Sequence, residues 1–164
     1  MKQTDIRKVS SLYSHANPFA TQSEIAEWTS KYLKKYPQYN FVFIKSHKII
    51  AAISGKIEKK KVGIINDITV LPKYQRKGIG RKLMKRILFA FTKDGIKTIQ
   101  LMVFWKNARS IPFYYQFGFK LKSIGRTIKG DVIYLEKTQS HIEALTLAIK
   151  YTKPIKHTFI KLGL

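Results

Sequence analysis

The stretch Ile64–Gly80 reads IINDITVLPKYQRKGIG and contains the strongest structural signals in the chain. An apolar run that begins at Val62 predicts a strand over 62–70. Pro72 ends this strand, because proline has no N–H to donate to a sheet. Beyond the loop, apolar residues recur every four positions, as expected for a helix with one buried face: Ile79, Leu83, Ile87 and Phe91. The stretch predicts a strand, a glycine-containing loop and the start of a helix.

The loop between this strand and this helix has the properties of an anion-binding site. Gly78 and Gly80 remove side chains at positions where an anion must approach the backbone. The start of the helix offers unpaired N–H groups and the positive end of the helix dipole. Four nearby side chains add hydrogen-bond donors: Gln75, Arg76, Lys77 and Arg81. We therefore expect the loop to bind a pyrophosphate.

The glycine spacing excludes two common nucleotide-binding loops. A P-loop needs Gly-x-x-x-x-Gly-Lys followed by Ser or Thr, and Gly78 and Gly80 are too close together for that pattern. A dinucleotide-binding fingerprint needs a third glycine at the position that Leu83 occupies. The loop therefore belongs to another class of phosphate site.

Helices and strands are predicted on both sides of this stretch. Thr21 and Glu24 have the spacing of a capping box, and an apolar helical stripe continues from them to Pro37. Asn107 is placed to cap a helix that runs to Gln116. Strands are predicted at 4–9, 41–44, 49–54, 98–104 and 132–136, and a tight polar turn around Ser46 and His47 joins the second to the third. The apolar run 98–104 suits burial on both faces. This order predicts an α/β (α+β) sandwich rather than a doubly wound fold.

The chain length and composition limit the remaining possibilities. A chain of 164 residues is long enough for one domain with its own core. There is no cysteine, and the four histidines show no spacing typical of metal ligands, so no metal site is expected. No apolar run approaches the roughly 20 residues that span a bilayer, and the N-terminus lacks the apolar core of a secretory signal. We expect a cytoplasmic protein without a membrane segment.

The charge of the chain is strongly positive. There are 32 Lys and Arg against 9 Asp and Glu, which gives a formal net charge of +23. Between Lys73 and Arg109 the only acidic residue is Asp94. Such a field attracts phosphorylated cofactors, nucleic acids and acidic surfaces. The alternative is that a lysine-rich composition merely supplies solvated surface lysines.

A second motif follows the loop and gives it a family context. Asn107-Ala108-Arg109-Ser110 precedes the run YYQFGF that begins at Tyr114. The segment 66–80 resembles the acetyl-coenzyme A motif of the GNAT superfamily of N-acetyltransferases. The second segment is similar to that family's Asn-x-x-Ala/Ser … Tyr-x-x-x-Gly-Phe block. The resemblance covers roughly residues 4–137 and implies a mixed, mostly antiparallel central sheet flanked by helices, with residues 139–164 as a C-terminal extension to the 1–138 domain.

The resemblance also implies how the cofactor is held. In the family, the strand before the loop splays from its neighbour, and its backbone pairs with the pantetheine arm. Asn107 would hydrogen-bond the cofactor near its thiol end, and Tyr114 would protonate the leaving thiolate. The alternatives are that Asn107 is only a helix cap and Tyr114 only a core aromatic. The implied cofactor-binding residues are Ile68, Thr69, Val70, Gln75, Arg76, Lys77, Gly78, Ile79, Gly80, Arg81, Asn107 and Tyr114.

The chemistry implied is direct attack of an amine on the thioester of acetyl-coenzyme A. The amine must be neutral, so a base has to take its proton. Asp67, on the strand beside the cofactor, is the first candidate. Glu58, Asp131 and His47 are weaker ones. The alternative role for Asp67 is to point into the sheet and order the loop.

The acceptor amine is left open. The family's acceptors include small amines, aminoglycosides, protein N-termini, lysines and aminoacyl-tRNA. The positive charge disfavours polycationic acceptors and favours an acceptor carried on an anionic macromolecule, such as a protein or an aminoacyl-tRNA. The alternative function is a basic nucleic-acid-binding module that has kept the fold without catalysis. For the tail 139–164 the expectations are packing on the domain or a dimer contact, in a monomer or a homodimer.

Overall fold

The computed structural model describes residues 3–14, 20–58, 61–139 and 159–161, and a seven-stranded sheet frames this part of the chain. The strand order across the sheet is β5-β6-β4-β3-β2-β1-β7. Neighbouring strands are antiparallel except β3 and β4, which are parallel. The predicted mixed, mostly antiparallel sheet is confirmed. The strands are β1 Asn40–Lys45, β2 Lys48–Glu58, β3 Val62–Val70, β4 Thr98–Phe104, β5 Lys120–Thr127, β6 Gly130–Thr138 and β7 Phe159–Lys161.

Helices flank the sheet on both faces. The helices are α1 Gln3–Ser14, α2 Gln22–Lys35, α3 Ile79–Lys93 and α4 Ile111–Tyr115. On one face, α1 and α2 form a small core with β1 and β2 that includes Val9, Leu12 and Val42. On the other face, α3 forms the larger core with Ile53, Ile99 and other strand residues. The apolar stripe predicted for α3 is buried in this larger core: Ile79, Leu83, Ile87 and Phe91.

Two local predictions are confirmed in detail. The capping box before α2 is present, because the Glu24 N–H donates to Thr21 Oγ1 at 3.2 Å and the Thr21 N–H donates to Glu24 Oε2 at 2.7 Å. The turn between β1 and β2 contains Ser46 and His47, with φ values of 47° and 59°. Two successive positive φ angles suit the right-handed twist of a hairpin.

Three local predictions are wrong. Residues 4–9 lie in helix α1 rather than in a strand, because Val9, Leu12 and Tyr13 share one helical face that is buried against α2 and β2. Strand β4 is buried on only one face, since Met102 is 41% exposed. The helix predicted from 107 to 116 is divided into a 3₁₀ segment, Trp105–Ser110, and α4, which has Pro112 in its first turn.

The parallel pair β3 and β4 separates partway along its length. Pairing joins Val62–Ile65 of β3 to Thr98–Leu101 of β4 and ends there, although both strands continue. At the same point β3 contains a bulge, because Ser54 lies opposite Asp67 while the next residue of β2 lies opposite Ile65. Bulges bend a strand and raise its twist. The result is a splay between the C-terminal halves of β3 and β4.

Part of the C-terminal tail is described. Strand β7 pairs antiparallel with β1, with Phe41 opposite Lys161, and so extends the sheet at this edge. The sequence of the tail also predicts a short amphipathic helix with Ile142, Leu145 and Ile149 on one face, and these residues lie outside the described ones. The division of the chain at residue 138 stays a prediction.

Candidate active site

The splay leaves one edge of β3 without a neighbouring strand among the described residues. From Ile68 to Val70 this strand pairs with β2 on one side, while β4 has already separated on the other. An extended chain with amide groups can add to such an edge as a further strand. This geometry fits the predicted role of the β3 backbone, which is to pair with the pantetheine arm of the cofactor.

Two buried side-chain atoms of β3 support a polar ligand at this position. Asn66 Nδ2 and Thr69 Oγ1 are buried and have no hydrogen-bond partner among the described residues. Native proteins satisfy nearly all buried polar atoms, so orphaned ones need an explanation. Both lie on the splayed half of the strand. The pantetheine arm of acetyl-coenzyme A carries amide and hydroxyl groups of the kind that hydrogen-bond such atoms.

The loop that follows β3 takes an unusual backbone path into α3. Arg76 and Gly78 both have positive φ angles, of 60° and 74°. Gln75 Nε2 donates to the Val70 carbonyl at 3.0 Å, so Gln75 ties the loop back to the end of the strand. A Cβ atom at Gly78 would meet nothing within 4 Å, whereas one at Gly80 would lie 3.6 Å from the Phe113 ring. Glycine is thus favoured at position 78 by its φ angle, and the space beside it is open.

The N-terminus of α3 fits the pyrophosphate predicted at this loop. No side chain caps the helix, so its first N–H groups face the open space beside Gly78. Arg76 and Lys77 are exposed next to it. The Arg81 guanidinium donates to Gln116 Oε1 and lies 5.9 Å from the Phe117 ring centroid, and its role as a phosphate donor stays a prediction. Arg81 therefore joins α3 to the end of α4.

Tyr114 lies on α4, beside the splay. Its ring makes edge contacts with Phe113 and Phe119, at centroid distances of 5.4 and 6.3 Å. Burial raises the pKa of Tyr114 to about 12, with Asp67 adding to the rise and a hydrogen bond with Ser110 opposing it. The phenol is therefore protonated at neutral pH, as a proton donor to a thiolate must be.

Asn107 lies inside the 3₁₀ segment that connects β4 to α4. The helix-cap alternative for this residue is wrong, because Phe104 and not Asn107 precedes that segment. The Asn107 carbonyl accepts a hydrogen bond from Ser110 Oγ at 2.8 Å, which orders the turn. The contact of Asn107 with the cofactor stays a prediction.

Asp67 is partly buried beside the splay and belongs to a polar chain that reaches α1. It lies directly opposite Ser54 in the β2–β3 ladder, so the two side chains share a face of the sheet. The Ser54 hydroxyl is within hydrogen-bonding reach of both Asp67 and the buried Tyr13. Burial raises the pKa of Asp67 to about 6, although the Ser54 hydrogen bond opposes the rise. A carboxylate with this pKa is ionised at neutral pH and accepts a proton readily.

The other proton acceptors considered are less suitable. Glu58 pairs with Lys56 at 2.6 Å and lies opposite Val62, at the far end of β3 from the loop. Asp131 pairs with Arg126, which lowers the pKa of its carboxyl. His47 is exposed in the β1–β2 turn. Asp67 is therefore the best-placed candidate base in the described part of the chain.

Ser54 and Tyr13 were not singled out from the sequence. Neither belongs to a motif, and the only signal that could identify them is the register that places Ser54 opposite Asp67. Register between distant strands is not visible in a single sequence, because it depends on the turn and on the bulge between them.

The sheet face that carries Asp67 is exposed to solvent at Met102, and this exposed region between α2 and the β5–β6 turn is here called the groove. The β5–β6 hairpin turn lies at the splayed end, since Val132 pairs with Phe104, the last residue of β4. This turn reaches α2, where Lys129 Nζ is 5.7 Å from the Trp28 ring centroid. Met102 pairs with Tyr134 on the face between these elements, and Met102 is accessible to solvent. An acceptor amine can approach along this face.

In the part of the chain that the structure covers, His, Asp and Glu side chains form no group of three that could hold a metal ion. Within the same part, no helix combines the length and the apolar character needed to cross a bilayer.

Comparison with known proteins identifies the family of this chain. The model of the acetyltransferase (GNAT) family matches residues 7–119. The [ribosomal protein bS18]-alanine N-acetyltransferase of Escherichia coli K12 is 27% identical over 136 residues, which cover 83% of each chain. The crystal structure of the E. coli ribosomal-protein-S18-alanine N-acetyltransferase has a TM-score of 0.70 and 25% identity, and the match covers 85% of this chain and 91% of that one.

A third match shares the fold, and its structure was solved with a bisubstrate analogue bound. Naa50 of Arabidopsis thaliana, solved in complex with the bisubstrate analogue CoA-Ac-MVNAL, has a TM-score of 0.73. It is 20% identical to this chain, and the match covers 85% of this chain and 95% of that one. The splayed strand and the glycine-containing loop before α3 are consistent with the family match. The chain belongs to the GNAT family and is an acetyl-coenzyme A-dependent N-acetyltransferase.

Proposed function

We propose that this enzyme acetylates the N-terminal α-amine of a polypeptide. The single observation that carries the chemistry is the pair of groups at the splay, Asp67 with a pKa near 6 and Tyr114 with a pKa near 12. Two titratable groups whose pKa values are moved apart suit a base and an acid in one reaction. The choice of a polypeptide acceptor is supported by the similarity to the bS18-alanine N-acetyltransferase over most of both chains.

In the proposed reaction the neutral amine attacks the thioester carbonyl directly. A new C–N bond forms and the C–S bond breaks. Asp67 takes a proton from the amine, directly or through water, and Tyr114 gives its proton to the departing thiolate. The backbone of Ile68 and Val70 holds the pantetheine arm, and the loop at Gly78 holds the pyrophosphate. Fixing both reactants at the splay replaces a bimolecular encounter by an oriented one.

The acceptor is proposed to enter between α2 and the β5–β6 turn. Trp28 and Lys129 bound this groove, and Met102 offers an apolar contact on its floor. A net charge of +23 repels free polyamines and favours a polypeptide that arrives on an anionic assembly. Family membership argues against the alternative of a non-catalytic nucleic-acid-binding module. We propose the cytoplasm as the compartment in which the enzyme works.

Initial rates with three acceptors test this proposal. The acceptors are a peptide with a free α-amine, the same peptide with its α-amine blocked but a lysine retained, and spermidine. We expect coenzyme A release with the first and little release with the others. Faster acetylation of spermidine or of the blocked peptide would overturn the proposed acceptor class. Acetylation of none of them, in protein that binds acetyl-coenzyme A, would also count against it.

A further inference from the structure

The outward side of α3 carries positive charge far beyond the cofactor loop. Five basic residues, here called the basic face, carry this charge: Lys45, Lys82, Lys85, Arg86 and Lys93. They occupy the solvent side of α3 and the end of the neighbouring strand β1. None of them forms an ion pair with a described carboxylate, and Asp94, after the last turn, is the first acidic residue in this helical region. All five charges of the basic face have the same sign.

Two cations of the basic face are held over aromatic rings of β1. Arg86 Cζ lies 5.4 Å from the Phe41 ring centroid, and Lys82 Nζ lies 5.8 Å from that of Phe43. The Arg86 Nε atom is buried, and its hydrogen-bonding capacity is unused by the described residues. Such contacts orient a cation without neutralising it. These two charges are therefore oriented by the aromatic rings of β1.

The cofactor does not account for the whole of this face. The pyrophosphate site is at Gly78, and a helix rises about 1.5 Å per residue, so Lys93 lies about 22 Å from it along α3. The interval from Lys82 to Lys93 is about 16 Å along the helix, which is longer than a single pyrophosphate. A stripe of this length suits an extended polyanion.

We propose that the basic face binds the phosphate backbone of RNA. The exposed large apolar side chains lie elsewhere: Trp28, Met102, Trp105, Tyr115, Leu121, Ile124 and Ile128. A membrane-binding surface needs apolar groups that enter the lipid, and a protein interface usually has aromatic anchors. The basic face offers regular charge without such anchors, which is typical of binding to a phosphate backbone.

The role we assign to this contact rests on the proposed function. If the polypeptide acceptor is carried on an RNA-containing assembly, binding the RNA raises the local concentration of the acceptor at the enzyme. The basic face lies on the α3 side of the sheet, and the acceptor groove lies on the α2 side. RNA binding and acetylation can therefore occur together, and each can be measured separately.

A matched pair of triple variants tests the proposal. One variant carries Lys82→Gln, Lys85→Gln and Lys93→Gln on the basic face. The control carries the same change at three exposed lysines on the other side of the molecule, Lys8, Lys31 and Lys34. Fluorescence anisotropy measures binding of a labelled single-stranded RNA of about 16 nucleotides. No acceptor or cofactor is present, so failure here is independent of failure of the proposed function.

The two variants are expected to differ in RNA affinity. Each lost phosphate contact lowers the affinity for RNA about fivefold at 0.1 M salt. It also reduces the slope of log affinity against log salt concentration by about 0.7. We expect the basic-face variant to lose at least fivefold and the control to stay near wild type. Both should acetylate a free peptide at the wild-type rate. Equal affinity in both variants would overturn the proposal, as would tighter binding of wild type to anionic vesicles than to RNA.

Discussion

Replacing Asp67 with Asn should make the enzyme more stable and much less active. Burial raises the pKa of Asp67 from 3.8 to about 6. The folded chain therefore binds this proton more tightly than the unfolded chain does. The stability that the protonated form contributes is complete below pH 3.8 and is lost as the pH rises through 6. The loss amounts to about 3 kcal/mol in the free energy of unfolding.

The Asn variant cannot ionise, so it avoids this loss. We expect its free energy of unfolding at pH 8 to exceed that of wild type by about 1 to 3 kcal/mol, with the difference vanishing near pH 4. Its turnover should fall by about 10² to 10⁴, the usual effect of removing a general base. Urea denaturation at pH 4, 6 and 8 measures the first effect, and coenzyme A release measures the second.

Asp131→Asn is the matched control. The ion pair with Arg126 lowers the pKa of Asp131, so this substitution should not stabilise the protein at pH 8 and should leave the chemical step intact. If Asp67→Asn had wild-type turnover and no gain in stability at pH 8, the reasoning about this carboxylate would be refuted.

Three further substitutions test other parts of the site. Tyr114→Phe should lower turnover at least tenfold with little change in acetyl-coenzyme A affinity, because only a proton donor is lost; calorimetry and steady-state rates check this. Gly78→Asp should abolish cofactor binding in calorimetry, because it strains a φ of 74° and adds negative charge at the phosphate site. Ser54→Ala should move the acidic limb of the pH–rate profile to higher pH, because the hydroxyl lowers the pKa of Asp67.

A specific result would contradict each of these three predictions. Unchanged turnover in Tyr114→Phe, with Tyr115→Phe as the control at an exposed neighbour, would mean that the thiolate leaves without this phenol. Normal affinity in Gly78→Asp would move the phosphate site elsewhere. An unshifted acidic limb in Ser54→Ala would show that Ser54 does not set the proton affinity of the base.

Local signals account for the parts of the fold that were predicted correctly. The strand 62–70, Pro72, the glycines and the four-residue period of α3 all act within one short segment, so a single sequence shows them. The same holds for the capping box at Thr21. Pro112 is also a local signal, because proline favours the first turn of a helix, and it marks the start of α4 within the longer helix that was predicted.

The parts that were missed depend on contacts between distant segments. Helix α1 is short, and its apolar face has meaning only against β2 and α2. Met102 is exposed because the sheet face at the end of β4 borders the groove, which an apolar run does not reveal. The chain from Tyr13 through Ser54 to Asp67 depends on a strand register that includes a bulge. The sequence therefore predicts the strand, loop and helix around Gly78 well and the surroundings of Asp67 poorly.

A crystal structure with acetyl-coenzyme A bound tests the central claim most directly. We predict that the pantetheine amides hydrogen-bond the backbone of Ile68 and Val70, with the pyrophosphate at the N–H groups that follow Gly78. The sulfur should lie within about 3.5 Å of the Tyr114 hydroxyl, with the acetyl group facing the side of the sheet that carries Asp67. A thioester outside the splay, or an acetyl group on the face opposite Asp67, would contradict the account.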